Sequence, residues 1–242
     1  MHPAETYAAA RELGEIGMDA SWIARELAVP RGTVVHWLRG ERQGRRPEPP
    51  RPLPEAPYAY LLGLYLGDGH IARGGHGQYV LSIACDRAYP GIIEAARAAV
   101  QAVVPCGSVF LREHPTANCT RVVSVSRWWP VLFPQHGPGR KHERPIRLSG
   151  WQRAIADVRA RDLVRGLIHS DGCRYLARQR VGGKTYEYVR YCFSNRSGDL
   201  IAIFSDHLDL LDIGWTRPND HTVAIDRRAE VAKLDVFVGP KR

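Results

Sequence analysis

Lysine is rare in this chain of 242 residues: four of its 34 basic residues are lysine (141, 184, 233 and 241) and the rest are arginine. A net charge of +9 carried mostly on planar guanidinium groups points to a polyanionic partner, because that fork suits bidentate contacts to phosphate and guanine. A GC-rich gene would leave the same arginine excess, so charge alone names no partner. Long apolar runs are missing too. No stretch of 18 apolar residues and no basic amphipathic helix is present, which argues against a membrane and in favour of nucleic acid. The five cysteines (85, 106, 119, 173 and 192) include no CxxC pair and follow no signal peptide. Disulfide framework and zinc site are thereby excluded, and reduced thiols in a cytoplasmic, nucleoid-associated protein are expected. The ten histidines likewise include no HExxH motif.

What is present is a repeat. Residues 60–69 read YLLGLYLGDG and residues 163–172 read LVRGLIHSDG, two short apolar helix patterns that end on Asp-Gly, with the acids 103 residues apart. Gly63 and Gly166 each cost about 1 kcal/mol of helix propensity, so close backbone packing must compensate. Gly67 and Ser170 extend the small face, while Leu61, Leu64, Leu163, Leu167 and Ile168 are expected to face the core of their own half. Gly69 and Gly172 suit a left-handed residue just past a helix end, which leaves Asp68 and Asp171 at the negative ends of two dipoles. Two carboxylates side by side raise each other's pKa unless a divalent cation lies between them. Mg²⁺ fits, since it keeps water and phosphate oxygens as its other ligands, and metal at a phosphodiester supports in-line hydrolysis. A plain helix stop would explain one Asp-Gly; two matched copies call for more.

Around the repeat, the chain divides into five stretches. Residues 1–40 read as three helices, Ala4–Ile16, a second capped by Asp19 or Ser21, and a third capped by Thr33, with a core of Ile23, Ala24, Leu27, Val29, Val34, Trp37 and Leu38. Residues 41–57, with six prolines from 47 onward, read as a semi-rigid linker whose arginines either track phosphates or keep it soluble. Residues 58–142 and 161–242, joined by a connector at 143–160, share the order helix, strand, strand, helix, strand, strand, helix, an α+β class. In the first half Tyr79, Leu81, Ile83 and Cys85 alternate with Gln78, Val80, Ser82, Ala84 and Asp86. In the second, Val189, Tyr191 and Phe193 alternate with Tyr188, Arg190, Cys192 and Ser194. The parallels extend to Asp86 with Asn195, Arg87 with Arg196, and residues 137–141 (GPGRK) with 239–241 (GPK).

On the two Asp-Gly motifs and the repeated order, residues 57–242 resemble the double-motif LAGLIDADG family of homing endonucleases. The resemblance implies a duplicated αββαββα fold whose two antiparallel, saddle-shaped sheets lie in the major groove of double-stranded DNA, and metal-dependent cleavage of both strands. It implies Asp68 and Asp171 as Mg²⁺ ligands, Lys141 and Lys241 as basic residues near the scissile phosphates, and Asp86 and Asn195 as water-positioning groups, with Asn195 the stronger candidate. The penultimate acid of the namesake motif is replaced by Leu66 and His169. Residues 21–40, SWIARELAVPRGTVVHWLRG, are similar to a bacterial helix-turn-helix, which makes Arg31, Thr33, Val35, His36 and Arg39 groove or phosphate contacts. Further DNA contacts are expected from Gln78, Ser82 and Arg112 in the first sheet, and from Arg178, Arg180, Lys184, Tyr188, Arg190 and Arg217 in the second. The expected molecule is a monomer with internal pseudo-two-fold symmetry. A non-cleaving DNA-binding regulator and an RNA-binding splicing helper are the alternatives.

Overall fold

In a computed structural model of the chain, which describes residues 2–38, 52–75 and 77–241, the contacts divide it into two compact units, 1–48 and 49–242. Three helices make the first: α1 (Ala4–Glu15), α2 (Ala20–Glu26) and α3 (Arg31–Leu38). Asp19 caps α2 by accepting from Ser21 N and Trp22 N at 2.7 and 3.1 Å. Thr33 does not cap α3, as its sequence position suggests. The helix begins two residues earlier, because the Pro30 carbonyl takes the Thr33 and Val34 N–H groups, at 2.9 and 3.3 Å. Ala10, Ile23, Val29, Val34 and Trp37 fill the centre, and Tyr7 meets Trp37 edge to face at 5.7 Å. Arg39 and most of the expected linker, residues 39–51, lie outside the described residues.

The second unit repeats one pattern. Its first half contains α4 (Glu55–Asp68), β1 (Gly69–Arg73), β2 (Tyr79–Asp86), α5 (Pro90–Val103), β3 (Val109–Glu113), β4 (Cys119–Ser126) and α6 (Trp129–Leu132). A 3-10 turn at Lys141–Glu143 and α7 (Gly150–Val158) lead to the second. That half contains α8 (Ala160–Asp171), β5 (Gly172–Val181), β6 (Lys184–Ser194), α9 (Gly198–Leu210), β7 (Thr216–Asn219), β8 (Thr222–Ile225) and α10 (Arg228–Asp235). Both sheets are four-stranded and antiparallel, in the orders β1-β2-β4-β3 and β5-β6-β8-β7. This is the mixed α+β, duplicated αββαββα architecture that the repeat leads one to expect.

Some boundaries move. Helix α4 starts at Glu55, inside the expected linker, because Pro57 falls in its first turn, where no N–H is needed. Strand β7 starts at Thr216 rather than Gly214, whose N–H goes instead to Glu230 Oε2 on α10 at 2.7 Å.

The two motif helices cross backbone to backbone. A Cβ on Gly63 would lie 2.5 Å from Leu163 O and 2.8 Å from Gly166 Cα, and one on Gly166 would strike Tyr60 O. Leu61, Leu64, Leu163, Leu167 and Ile168 are buried in one core continuous through both halves, instead of each half keeping its own, because the crossing leaves no gap. Gly69 and Gly172 are extended, with φ,ψ of −86°, 148° and −100°, 170°, and not left-handed. Glycine is needed there for closeness: a Cβ would meet Tyr65 Cα at 2.5 Å or Ile168 Cα at 2.7 Å. The strands therefore leave directly from the acids.

Candidate active site and nucleic-acid interface

Asp68 ends α4 and Asp171 ends α8, so the crossing that the glycines permit also brings the acids together. A Cβ on Gly67 would lie 2.7 Å from Asp171 Oδ2. Burial, and after it the charge of Asp171, pushes the Asp68 carboxyl up to about 6. Burial also raises Asp171, against the pull of Asn195, whose Nδ2 donates to Asp171 Oδ2 at 2.8 Å.

An acid at a helix C-terminus is opposed by the dipole, and each half answers this with a lysine. Lys141 Nζ donates to Gly67 O at 2.8 Å and Leu66 O at 3.2 Å, and also to Tyr65 O; Lys241 Nζ donates to His169 O at 3.0 Å. Each ammonium thus binds the last carbonyls of its own motif helix, a task that sequence spacing does not announce. Burial lowers both, Lys141 to about 8, while the two acids pull them back up.

Sheet register corrects one expected pairing. Ile83 stands opposite Gly69, and Phe193 opposite Gly172. Two residues further along, the counterpart of Asn195 is therefore Cys85, and that of Arg196 is Asp86. Cys85 is buried, and burial followed by the nearby Asp68 charge pushes its thiol up to about 12. Asp86 is turned to the loop, accepting from Asn118 Nδ2 and Ala88 N at 2.7 and 2.9 Å. Arg87 ties the same loop through His114 O and Ala117 O, at 3.0 and 2.7 Å.

Each acid opens onto a recess. Asp68 shares one of about 350 Å³ with His70, Ser82, Arg112 and Arg121 on the open face of the first sheet. Asp171 shares one of about 330 Å³ with His142, Ser194, Asn195, Arg196 and His221. Of these, sequence reasoning missed His70, Arg121, His142 and His221, and noted Arg196 only as a partner for Arg87. Alternation along β4 is a signal for Arg121; His142 and His221 arrive from a turn after the first half and from the β7–β8 hairpin, and carry no local signal.

The other expected contacts are spread more widely. Gln78 is exposed in the β1–β2 turn. In the second sheet, Lys184, Tyr188 and Arg190 share the open face with Cys192, and Tyr188 stacks on Tyr186 at 6.4 Å. Arg178 and Arg180 sit on the opposite face, since they pair with Glu187 and Thr185, and Arg178 is bound to Glu187 at 2.8 Å. Arg190 meets Asp226 at 3.4 Å, and Arg217 donates to Asp220 O at 3.0 Å. In the first unit Arg31 donates to Ser21 Oγ at 3.0 Å, His36 is exposed, and Thr33 and Val35 are half-buried. The described cysteines are free, though Cys173 and Cys192 face each other with sulfurs 3.0 Å apart. Among the described residues, no helix is long and apolar enough to cross a membrane.

Solved structures of homing endonucleases are similar to this chain. The structure of I-DmoI in complex with DNA and Mn is 14% identical, over 78% of this chain and 98% of that one, with a TM-score of 0.49. The LAGLIDADG meganuclease I-AabMI bound to uncleaved DNA is 10% identical, over 74% and 82%, at 0.47. I-WcaI bound to its DNA recognition sequence is 11% identical, over 78% and 83%, at 0.47. No family model and no curated protein matches the chain. Likeness this distant transfers no residue's role, so the chemistry of the site rests on its own geometry.

Proposed function

We propose that this chain is a metal-dependent endonuclease of the homing type that binds double-stranded DNA as a monomer and hydrolyses its phosphodiester bonds. One observation carries the reading: two carboxylates, the exposed Asp68 and the half-buried Asp171, converge at the ends of two crossing helices, and each of those helices has its terminal carbonyls held by a lysine. A purely structural helix stop has no need of that convergence. The donors suit Mg²⁺ or a similar hard cation, because both are carboxylate oxygens and the one side-chain donor on them among the described residues is Asn195. Among the described residues no third His, Cys, Asp or Glu joins them, which leaves the other coordination positions to water and phosphate. A divalent ion held there supplies an activated water and charge stabilisation at the leaving oxygen.

The chain's own residues do the rest. Asn195 fixes the direction of Asp171, the lysines cancel the dipoles that would disfavour both acids, and the arginines of the open faces hold the duplex. With Mg²⁺, the purified protein is expected to cut a plasmid library at a defined site. Asp68→Asn and Asp171→Asn are expected to bind that site without cutting it. Specific binding with no cleavage by the unaltered protein under any divalent ion would replace this reading with that of a non-cleaving regulator.

A further inference from the structure

Alternation along each strand sorts the side chains of a sheet into a face that packs on helices and a face left open. In the first sheet Leu81, Ile83 and Cys85 are buried, so Val80 and Ser82 point the other way. The register then sets Ala72 and Val125 opposite Val80, Val123 opposite Ser82, and Phe110 opposite Val123. In the second sheet the buried Tyr191 and Phe193 put Tyr186 and Tyr188 on the open face, with Gln179 opposite Tyr186, Ala177 opposite Tyr188 and Tyr175 opposite Arg190. Phe110 is 55% exposed, and Tyr175, Tyr186 and Tyr188 are 42%, 43% and 43% exposed, too much ring in water for a core role. Single exposed apolar residues need no explanation, but rows of them on one face mark a contact surface.

Charge on the same faces names the occupant. Arg112 stands directly opposite Arg121, and such like-charged pairs cost stability unless an anion lies over them. Lys184 carries positive charge to the far end of β6, in a chain of net charge +9. A DNA duplex supplies the anion, and its major groove admits a two-stranded ribbon such as β5 with β6. Tyr186 and Tyr188, with ring centres 6.4 Å apart, are spaced close to two base-pair steps of about 3.4 Å each. Ala72, Val80, Val123, Val125 and Phe110 have no side-chain donor or acceptor with which to read a base edge. What an apolar group can recognise in the major groove is the thymine 5-methyl, and the minor groove offers no such group. Gln179, opposite Tyr186, adds the amide that suits adenine, so both residues ask for the same base pair.

We propose that the open faces read thymine 5-methyl groups on the two flanks of the target, through Val80, Val123 and Phe110 in the first half and Tyr175, Tyr186 and Tyr188 in the second. The inference rests on the duplex binding in the proposed function and is independent of cleavage. Apolar fit at the flanks specifies the site, whereas the acids act where a bond is broken.

The test is selection of a randomised duplex library on the full-length protein in EDTA, followed by removal of methyl groups from the duplex recovered. Sequencing is expected to return thymine at fixed positions on both flanks. Deoxyuridine in place of deoxythymidine, which deletes the methyl and leaves the pairing intact, is expected to weaken binding by about 4-fold for each buried methyl lost. Tyr188→Ala is expected to weaken binding to the thymine duplex and to abolish the uracil effect on one flank; Phe110→Ala should do the same on the other. Tyr188→Phe should keep the uracil effect. Both positions are exposed, so the fold is expected to survive, as equal melting temperatures would check. Specific binding that ignores uracil on both flanks overturns the inference and leaves the proposed function standing. Tyr188→Phe behaving as Tyr188→Ala overturns the methyl reading in favour of the hydroxyl. Self-association of the protein that Phe110→Ala and Tyr188→Ala disperse, with DNA affinity unchanged, overturns it in favour of a protein interface. No binding to any duplex overturns the proposed function and this inference together.

Discussion

Asp68 is exposed on the open face, yet protein around it and the charge of Asp171 push its carboxyl up to about 6. A carboxyl raised above its unfolded value binds its proton more tightly in the native state, so the stability it contributes is present at low pH and lost as pH rises through about 6. Metal-free protein is therefore expected to melt at lower temperature as pH rises from about 4 to about 6. Solvent screening keeps the effect small, and Asp68→Asn is expected to flatten it. With Mg²⁺ the trend should reverse, because only the ionised pair binds the cation, and cleavage should fall away below about pH 6. Parallel melting curves in EDTA and in Mg²⁺ check both signs. His169, which replaces an acid of the motif, has a different task. Burial lowers its ring to about 4, so the ring stays neutral and its Nδ1 accepts the Tyr60 hydroxyl at 2.9 Å across the helix crossing. That departure from the motif is visible in the sequence; its purpose appears only when α4 and α8 are laid together.

The helix crossing tolerates no added atom. Gly63→Ala would place its methyl against the Leu163 carbonyl and the backbone of Leu167 and Gly166, which cannot move aside as a side-chain end could. Gly63→Ala and Gly166→Ala are each expected to destabilise the second unit by about 3 kcal/mol or more, as overpacking does, and to abolish cutting by parting the acids. Gly198→Ala, at the start of α9 with open space around it, is the control and should be neutral or slightly stabilising. Urea denaturation of the three variants decides the point. These glycines were legible in advance because a small residue in an apolar helix already demands a close neighbour. Helix α5 was legible to its ends, since its apolar period and its opening Pro90 are local signals. What stayed hidden was pairing between distant segments. Asp86 looks like the partner of Asn195 in the linear repeat, but the register that sets Ile83 opposite Gly69 and Phe193 opposite Gly172 differs from it by one residue and makes Cys85 the counterpart of Asn195. The same alternation carries Arg178 and Arg180 to the face opposite Arg190, and brings Cys173 to Cys192 from 19 positions away.

The two units keep separate cores. Ala10, Ile23, Val29, Val34 and Trp37 serve the first, whereas the second has a single core running from Tyr58 to Val238. The proline-rich stretch of the sequence offers no periodic apolar positions with which to merge them. Small units bury a smaller fraction of their surface, so the first should be the weaker. Calorimetry of the whole protein is expected to show two transitions, the lower one belonging to the three-helix unit. Trp37, 2% exposed in that core, provides an optical assignment: Trp37→Phe should lower the first transition by several degrees and leave the second in place. Mg²⁺ is expected to do the converse, raising the second transition alone, because both acids lie in that unit and a ligand stabilises only what binds it. A single transition that shifts as one under both perturbations would show that the units fold together, and the acids would then answer to changes in the helical unit.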